Sequence, residues 1–271
     1  MKMEYVNKLF NMDGKKAVIT GGNSGIGKGI ARSLASLGAD ITFVGRHRGS
    51  IQETEKELAD LGVSAKGYVV DVSSREEVDK FFDTCFAENG RLDICVINAS
   101  VEYDKRLLDA TEEEADKMFR VNMKGALFFL QRASEAMKAQ KGGNIVIISS
   151  VNGLWPNPPQ AFYSATKAAQ LAMMECAAAD LRKFNIRVNA IAPGAVMTSI
   201  GQNGADRHSG SEEIDASLIP DPVIAPALVP LDRVGLPEDI GDACACLVSD
   251  AFRYMTGAVV AVDGGILLRL V

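Results

Sequence analysis

Residues 20–27 read TGGNSGIG and lie between a short apolar run at 17–19 and a segment of helical character at 28–37. The glycines allow a tight turn and let the backbone approach a bound group closely. A pyrophosphate held in such a turn lies at the positive end of the following helix. The stretch therefore predicts a nucleotide-phosphate site between a first strand and a first helix. Its expected contact residues are Gly21, Asn23, Ser24, Gly25, Ile26 and Gly27.

Short apolar runs like the one before this turn recur along the chain, with longer helical segments between most of them. Continuously apolar runs are typical of strands covered on both faces, and alternating strands and helices imply crossover connections in a parallel sheet. We therefore predict an α/β protein: a single doubly wound Rossmann-fold domain over residues 1–271, with a seven-stranded parallel sheet flanked by helices. The predicted strands are 17–19, 41–44, 68–70, 94–97, 145–148, 188–191 and 259–262, and the predicted helices are 25–37, 51–61, 75–88, 112–138, 161–183 and 237–249.

Composition and charge argue against several classes of partner. The 271 residues are 47% hydrophobic with a net charge of −6, and no stretch has the roughly 20 apolar residues that a membrane-spanning helix requires. The acidic balance, without any basic run, disfavours nucleic acid. Residues 1–12 lack the apolar core of a secretory signal. We therefore expect a cytoplasmic protein that binds neither membrane nor nucleic acid.

The cysteines and histidines predict neither a metal site nor a disulfide framework. An odd number of cysteines without C-x-x-C spacing fits neither, and only His47 and His208 are available as imidazole ligands. The cysteines have apolar neighbours, so we expect reduced core residues and no metal. They are Cys85, Cys95, Cys176, Cys244 and Cys246.

The end of the second predicted strand indicates which dinucleotide the chain would bind. An NAD-specific site places an acidic residue there, about 20 residues after the glycine-rich turn, to bind the ribose hydroxyls. This chain instead continues with Arg46, His47 and Arg48. The Arg46 guanidinium suits the additional 2′-phosphate of NADP. We therefore predict NADP(H) in preference to NAD(H), with Arg46 and His47 among the residues that bind it.

Polar or turn residues also follow the later apolar runs. Asp71 follows the third run, Asn98 the fourth, Ser150 the fifth and Pro193 the sixth. The carboxyl ends of parallel strands lie along one edge of an open sheet, where ligands bind. We therefore expect these residues to converge on one ligand site.

Tyr163 and Lys167 are four residues apart in a predicted helix and so share one face. A phenol has a pKa near 10, and a nearby ammonium group favours the phenolate, so we expect Lys167 to lower the pKa of Tyr163. Ser150, at a strand end, is placed to hydrogen-bond a substrate oxygen opposite the phenol. Hydride transfer to a ketone leaves a developing alkoxide, which needs a hydrogen-bond donor and a proton. The three residues therefore predict interconversion of a secondary alcohol and a ketone.

These motifs resemble those of the short-chain dehydrogenase/reductase family, in the single-domain group with a T-G-x-x-x-G-x-G turn and a Y-x-x-x-K pair. The resemblance covers almost the whole chain. It implies a catalytic tetrad of Asn122, Ser150, Tyr163 and Lys167, in which the asparagine supports a water chain for protons and the lysine also binds the nicotinamide ribose. The further cofactor contacts that it implies, beside Tyr163 and Lys167, are Asp71, Val72, Asn98, Ala99, Pro193, Gly194, Val196 and Thr198.

Two features bear on assembly and on local departures from the family. The family's N-N-A-G motif reads I-N-A-S at residues 97–100, so we expect altered hydrogen bonding there with binding retained. Residues 256–257 and 262–265 resemble the family's last strand, which usually supports a tetramer interface, and we expect a homotetramer.

Residues 197–230 follow no helical or strand period. We expect them to form a substrate lid, and a surface insertion is the alternative.

The substrate is the least determined feature. Residues 9–15 and 261–265 look similar to those of sugar-acid and polyol dehydrogenases, so a sugar, sugar acid or polyol is our first expectation. The expected substrate contacts are Ser150, Asn152, Trp155 and Tyr163. Glu102, if it faces the pocket, counts against a carboxylated substrate. A steroid or cyclic ketone packed on Trp155 and a 3-oxoacyl thioester remain alternatives.

Two alternatives of other kinds also fit the fold. The first is a catalytically silent NADP(H)-binding sensor scaffold, against which the complete tetrad argues. The second is a flavin or S-adenosylmethionine enzyme, which does not account for Ser150, Tyr163 and Lys167 occurring together. The sequence therefore favours an NADP(H)-dependent oxidoreductase with Tyr163 as general acid and base.

Overall fold

The computed structural model describes residues 2–198 and 229–268. Its strands are β1 (Lys16–Thr20), β2 (Asp40–Gly45), β3 (Ala65–Val69), β4 (Ile94–Ile97), β5 (Gly143–Ile148), β6 (Ile186–Pro193) and β7 (Val259–Val262). They form one sheet in the order β3-β2-β1-β4-β5-β6-β7, and each neighbouring pair is parallel. The predicted doubly wound α/β fold with seven parallel strands is therefore confirmed.

Helices occupy most of the chain between these strands. They are α1 (Lys2–Phe10), α2 (Gly25–Ser36), α3 (Arg48–Ala59), α4 (Arg75–Asn89), α5 (Glu112–Met118), a π-helical segment (Phe119–Gly125), α6 (Ala126–Gln140), α7 (Val151–Leu154), α8 (Ala161–Leu181) and α9 (Pro237–Val248). No helix within the described residues is long and apolar enough to cross a membrane.

The structure corrects the sequence prediction at three helices. Helix α1 was not predicted, although Glu4 in its first turn and Lys8 in its last turn complement the helix dipole. The short helix α7 was also missed. The predicted helix 112–138 is α-helical at both ends but π-helical over Phe119–Gly125. The sequence did not reveal this segment, because the wider turn of a π-helix leaves no clear mark on the hydrophobic pattern.

The sheet is covered on both faces, as its apolar strands require. Val18 and Ile19 are consecutive residues of β1, and successive side chains of a strand point to opposite faces. Val18 packs in a cluster with Phe129, whereas Ile19 packs in a second cluster with Phe43. All four side chains are buried. This two-sided core fixes the sheet and therefore the position of its carboxyl edge.

The order of the strands reverses between β1 and β4. In open parallel sheets, ligands bind in the crevice outside the carboxyl ends of the strands at such a point. Thr20 and Ile97 end these two neighbouring strands. The fold therefore places the glycine-rich turn and the residues after β4 on the two sides of one crevice.

The cysteine prediction is confirmed only in part. Cys85, Cys95 and Cys244 are buried, and burial raises the pKa of each thiol. Cys176 is exposed and Cys246 is half-buried, so these two are not core residues. These two cysteines lie on the more exposed faces of their helices, and their apolar sequence neighbours do not distinguish such a face from a core face. All five are free thiols.

Candidate active site

The glycine-rich turn leaves β1 and opens helix α2. Gly21 and Gly25 have φ angles of 65° and 46°, in the left-handed region that favours glycine. A Cβ on Gly27 would lie 2.2 Å from the carbonyl oxygen of Gly21. Ser24 precedes the helix, and its side chain makes no capping hydrogen bond. The close approach of Gly27 to Gly21 and the absence of a side-chain cap at the start of α2 fit a phosphate group of a dinucleotide.

The residues after β4 are tied directly to this turn. The backbone N–H groups of Asn98 and Ala99 each donate to Thr20 Oγ1 at 2.8 Å, and Asn98 Nδ2 donates to the carbonyl oxygen of Thr20 at 2.9 Å. Ser100 replaces the glycine of the family motif, and its Oγ is buried without a hydrogen-bond partner among the described residues. The departure at this motif therefore leaves its link to the glycine-rich turn intact.

The end of β2 lies beside the same turn. Gly21 N–H donates to the carbonyl oxygen of Val44 at 2.8 Å, and Asn23 Nδ2 donates to Ser50 Oγ at 2.8 Å. Arg46 follows β2 directly and is exposed, and His47 precedes α3 and is half-buried. Arg46 and His47 therefore lie next to the turn, as their predicted role requires.

The other predicted cofactor residues lie along the carboxyl edge. The Asp71 carboxylate accepts hydrogen bonds from the N–H and Oγ of Ser73 at 2.9 and 2.7 Å. Gly194 N–H donates to the carbonyl oxygen of Val262 at 3.1 Å. Thr198 lies against the glycine-rich turn, since a Cβ on Gly25 would be 3.2 Å from Thr198 Cγ2. The remaining edge residues are Val72, which packs against Gly125, Pro193, which ends β6, and Val196, which pairs with Gly235.

Asn122 is fully buried within the π-helical segment. Its amide bonds both backbone groups of Val101: Oδ1 accepts from the N–H at 2.8 Å, and Nδ2 donates to the carbonyl oxygen at 2.9 Å. Nδ2 also donates to Thr166 Oγ1 at 3.1 Å, and Gln170 Nε2 donates to the Asn122 carbonyl oxygen at 2.7 Å. Asn122 therefore joins the segment after β4 to helix α8.

Ser150, Tyr163 and Lys167 meet at the end of β5. Ser150 precedes α7, and its hydroxyl accepts from Asn152 N–H at 3.1 Å and hydrogen-bonds the Tyr163 phenol. Tyr163 and Lys167 lie on the buried face of α8. Lys167 Nζ donates to the carbonyl oxygen of Ile148 at 3.0 Å and lies 5.5 Å from the centre of the Tyr163 ring. The structure thus brings the three residues together.

The pKa values in this group differ from the sequence expectation. Burial raises the pKa of the Tyr163 phenol, and the Glu102 carboxylate raises it further. The prediction that Lys167 lowers this pKa is wrong for the structure, because the ammonium group lies over the ring and bonds Ile148 rather than the phenol oxygen. Burial also lowers the pKa of Lys167 itself to about 8.

Sequence reasoning missed part of the wall beside these residues. Gln160, just before α8, donates through Nε2 to the carboxyl groups of Glu102 and Asp104 and accepts through Oε1 from Asn152 Nδ2. Burial and the neighbouring Asp104 raise the pKa of Glu102 to about 7. Glu102, three residues after the strand-end Asn98-Ala99 pair, was considered from the sequence as a possible pocket residue. Asp104 and Gln160 carry no motif.

The predicted substrate contacts do not all occupy equivalent positions. Asn152 belongs to the wall just described, and Ser150 and Tyr163 lie beside it. Trp155 ends α7 and is 52% exposed. It therefore lies at the rim and does not wall an enclosed apolar pocket. Of the predicted lid at 197–230, residues 199–228 lie outside the described part of the chain.

An open parallel sheet with a glycine-rich turn at its reversal point and a buried Ser-Tyr-Lys group beside it is the arrangement expected of a dinucleotide-dependent oxidoreductase. Comparison with known proteins agrees. The family model described as enoyl-(acyl carrier protein) reductase matches residues 21–267. The chain belongs to the short-chain dehydrogenase/reductase family.

Individual relatives match along almost their whole length. A 3-oxoacyl-(acyl-carrier-protein) reductase of Thermotoga maritima is 32% identical over 95% of this chain and 99% of its own. An L-rhamnose 1-dehydrogenase (NAD(P)(+)) of a Sphingomonas species is 32% identical over 96% and 98%. The crystal structure of a short-chain type dehydrogenase/reductase from Mycobacterium marinum, 32% identical, superimposes with a TM-score of 0.86 over 96% of this chain and 98% of that one. These relatives agree on the family, and their names indicate different substrates.

Proposed function

We propose that this protein is an NADP(H)-dependent oxidoreductase that interconverts a secondary alcohol and a ketone. The observation that carries the proposal is the meeting of Ser150, Tyr163 and Lys167 at the sheet edge that also holds the glycine-rich turn. When bound, the nicotinamide cofactor supplies or accepts the hydride. Gly21, Gly25 and Gly27 would hold its pyrophosphate against the start of α2.

The chain's own residues would manage the proton. In the reductive direction the Ser150 hydroxyl donates a hydrogen bond to the carbonyl oxygen, and the Tyr163 phenol gives it a proton as the alkoxide forms. The raised pKa keeps Tyr163 protonated in the free protein, which suits a general acid. Lys167, with its pKa lowered to about 8, is the buried group best placed to restore that proton at neutral pH. Asn122 holds the neighbouring segment in place.

The NADP(H) preference rests on Arg46, which follows β2 where an acidic residue would bind the ribose hydroxyls of NAD. Replacing Arg46 with Ala removes a charge-assisted contact to the 2′-phosphate and should lower kcat/KM for NADPH by about 10- to 100-fold while leaving NADH within about twofold. Steady-state kinetics with both cofactors measure this. A wild-type protein that uses NADH as well as or better than NADPH would overturn the preference.

The activity is tested by NADPH-consumption assays across ketoses, ketogluconates, steroid ketones and oxoacyl thioesters. Our first candidate is a sugar, sugar acid or polyol, and activity confined to another class would replace it. Tyr163→Phe should lower kcat by about 1,000-fold, the loss typical of a proton donor, while the NADPH Kd measured by fluorescence titration changes little. Tyr254→Phe is the matched control, because Tyr254 is fully exposed.

Two outcomes would contradict this function. If Tyr163→Phe keeps most of the wild-type rate, Tyr163 is not the general acid. If the wild-type protein binds NADPH and turns over no carbonyl compound in the panel, the silent sensor scaffold becomes the better account.

We also propose a single-domain protein that assembles as a homotetramer and works in the cytoplasm, with residues 197–230 as its substrate lid. The apolar side chains of Phe119 and Leu127 are exposed eight residues apart, and Cys176 is exposed on α8. Exposed apolar groups of this kind favour association. Sedimentation equilibrium tests the tetramer, and a single unfolding transition tests the single domain.

A further inference from the structure

The wall beside the catalytic residues is built from three separate segments. Glu102 and Asp104 follow β4, Asn152 lies two residues after Ser150, and Gln160 lies three residues before Tyr163. Two of these segments therefore also carry a residue of the proposed catalytic group, and the segment of Glu102 is joined to that group by the hydrogen bonds of Val101 to Asn122. A substrate whose oxygen lies between Ser150 and Tyr163 has this wall as its neighbour.

Gln160 fixes the orientation of the two carboxyl groups. Its Nε2 donates to Glu102 Oε1 and, at 2.5 Å, to Asp104 Oδ1, and its Oε1 accepts from Asn152 Nδ2. A primary amide has two N–H hydrogens, and both are used here. Each carboxyl group gives one oxygen to Gln160, and an ionised carboxylate has about four acceptor sites. Glu102 thus retains capacity to accept hydrogen bonds from a bound molecule.

Glu102 also acts electrostatically on the catalytic residues. Its carboxylate raises the pKa of both Tyr163 and Lys167, so it lies within interaction range of each. The charged groups facing it are Lys167 from α8 and Asp104 from its own segment. Glu102 is half-buried, so part of its side chain remains accessible to a bound molecule. The position is thus close to the reacting atoms and open to a substrate.

We propose that Glu102, held by Gln160 and supported by Asp104, is a specificity-determining residue that selects substrates with a hydroxyl or ammonium donor next to the reacting carbon and rejects substrates with a carboxylate there. A carboxylate accepts strong hydrogen bonds from such donors and repels a like charge. Among the candidate classes, this favours neutral polyhydroxylated compounds over sugar acids. The inference rests on the proposed alcohol/ketone oxidoreductase function.

The test compares three ketones of one carbon skeleton: one with a hydroxyl next to the carbonyl, one with a carboxylate there, and one with neither. It is run at pH 8, above the pKa of about 7 of Glu102, so that this carboxyl group is mostly ionised. Glu102→Gln keeps the shape and removes the charge. We expect kcat/KM to fall about tenfold for the hydroxyketone, to rise about tenfold for the ketoacid and to stay within about twofold for the plain ketone. Glu113→Gln, an exposed change on α5, should leave all three values unchanged.

Other outcomes separate the two proposals. Equal changes for all three ketones would make Glu102 a positioning residue and overturn the specificity proposal, as would no change for any. At pH 8, where Glu102 is mostly ionised with or without Asp104, Asp104→Asn at an exposed position removes one negative charge from the wall. It should shift the same ratio in the same direction by about threefold, and it serves if Glu102→Gln does not fold. A wild-type protein that reduces none of the three, nor any compound of the wider panel, would instead refute the proposed function itself.

Discussion

The two sides of the carboxyl edge are built in different ways. The proposed cofactor side, from β1 to β3, is shaped by the backbone: glycines with left-handed φ angles, a close approach of Gly27 to Gly21 and a helix start without a side-chain cap. The proposed catalytic side, from β4 to β6, is shaped by buried polar side chains with shifted pKa values, such as Tyr163 and Lys167. The first side should therefore be sensitive to added volume, and the second to the loss of single polar atoms.

Lys167→Met should have the largest effect and should separate activity from stability. Loss of the ammonium group removes the proposed proton source for Tyr163 and should lower kcat by about 1,000-fold. Burial of the charge is nevertheless costly, since it lowers the pKa of Lys167 from 10.5 to about 8. That shift corresponds to about 3 kcal/mol. The variant also loses the hydrogen bond to Ile148, which offsets part of this gain. Its free energy of unfolding at pH 7 should therefore be about 2 kcal/mol higher than that of the wild type.

The pH dependence of that gain provides its check. Between pH 8 and 10.5 the unfolded chain binds a proton at Lys167 that the folded chain does not, so wild-type stability rises with pH in this window. The penalty is full below pH 8 and is gone above pH 10.5. Thermal unfolding at pH 7 should therefore show a Tm about 4–8 °C higher for the variant, and no gain at pH 10.5. A variant less stable than wild type at pH 7 would contradict the buried-charge account.

Gly27→Ala should have the next largest effect, on the opposite side of the edge. Its Cβ would lie 2.2 Å from the Gly21 carbonyl oxygen and 2.8 Å from the Gly21 carbonyl carbon, so the turn must shift. Overpacking of this kind costs about 1–3 kcal/mol, and we expect the NADPH Kd, measured by calorimetry, to rise by about 10- to 100-fold.

Gly49→Ala is the matched control for that substitution. Gly49 is also helical, and a Cβ there has no atom within 4 Å, so binding should not change and α3 should gain slightly in stability. If both variants bind NADPH as the wild type does, backbone proximity in the turn is not what holds the cofactor.

The contrast between the sides also explains what the sequence could predict. The glycine-rich turn and the seven strands are local patterns, and both were predicted. Tyr163 and Lys167 share a helix, so their pairing was also accessible. The link from Gln160 to Glu102 joins residues 58 positions apart and has no local pattern. The π-helical turn that carries Asn122 was missed for a related reason, because it alters the backbone without altering the apolar period.

Thr166→Val should have the smallest effect and tests whether buried hydrogen bonds position the catalytic side. Thr166 Oγ1 accepts from Asn122 Nδ2 at 3.1 Å and donates to the Tyr163 carbonyl oxygen at 2.8 Å, so it joins two members of the proposed tetrad. Valine keeps the shape and removes both bonds, at a cost of about 1 kcal/mol each, and should lower kcat by about fivefold with the NADPH Kd unchanged. Thr166→Ser should restore the rate, because it keeps the hydroxyl. A cofactor Kd that rises as much as kcat falls would mean that the two sides of the edge are coupled through α8 and do not act separately.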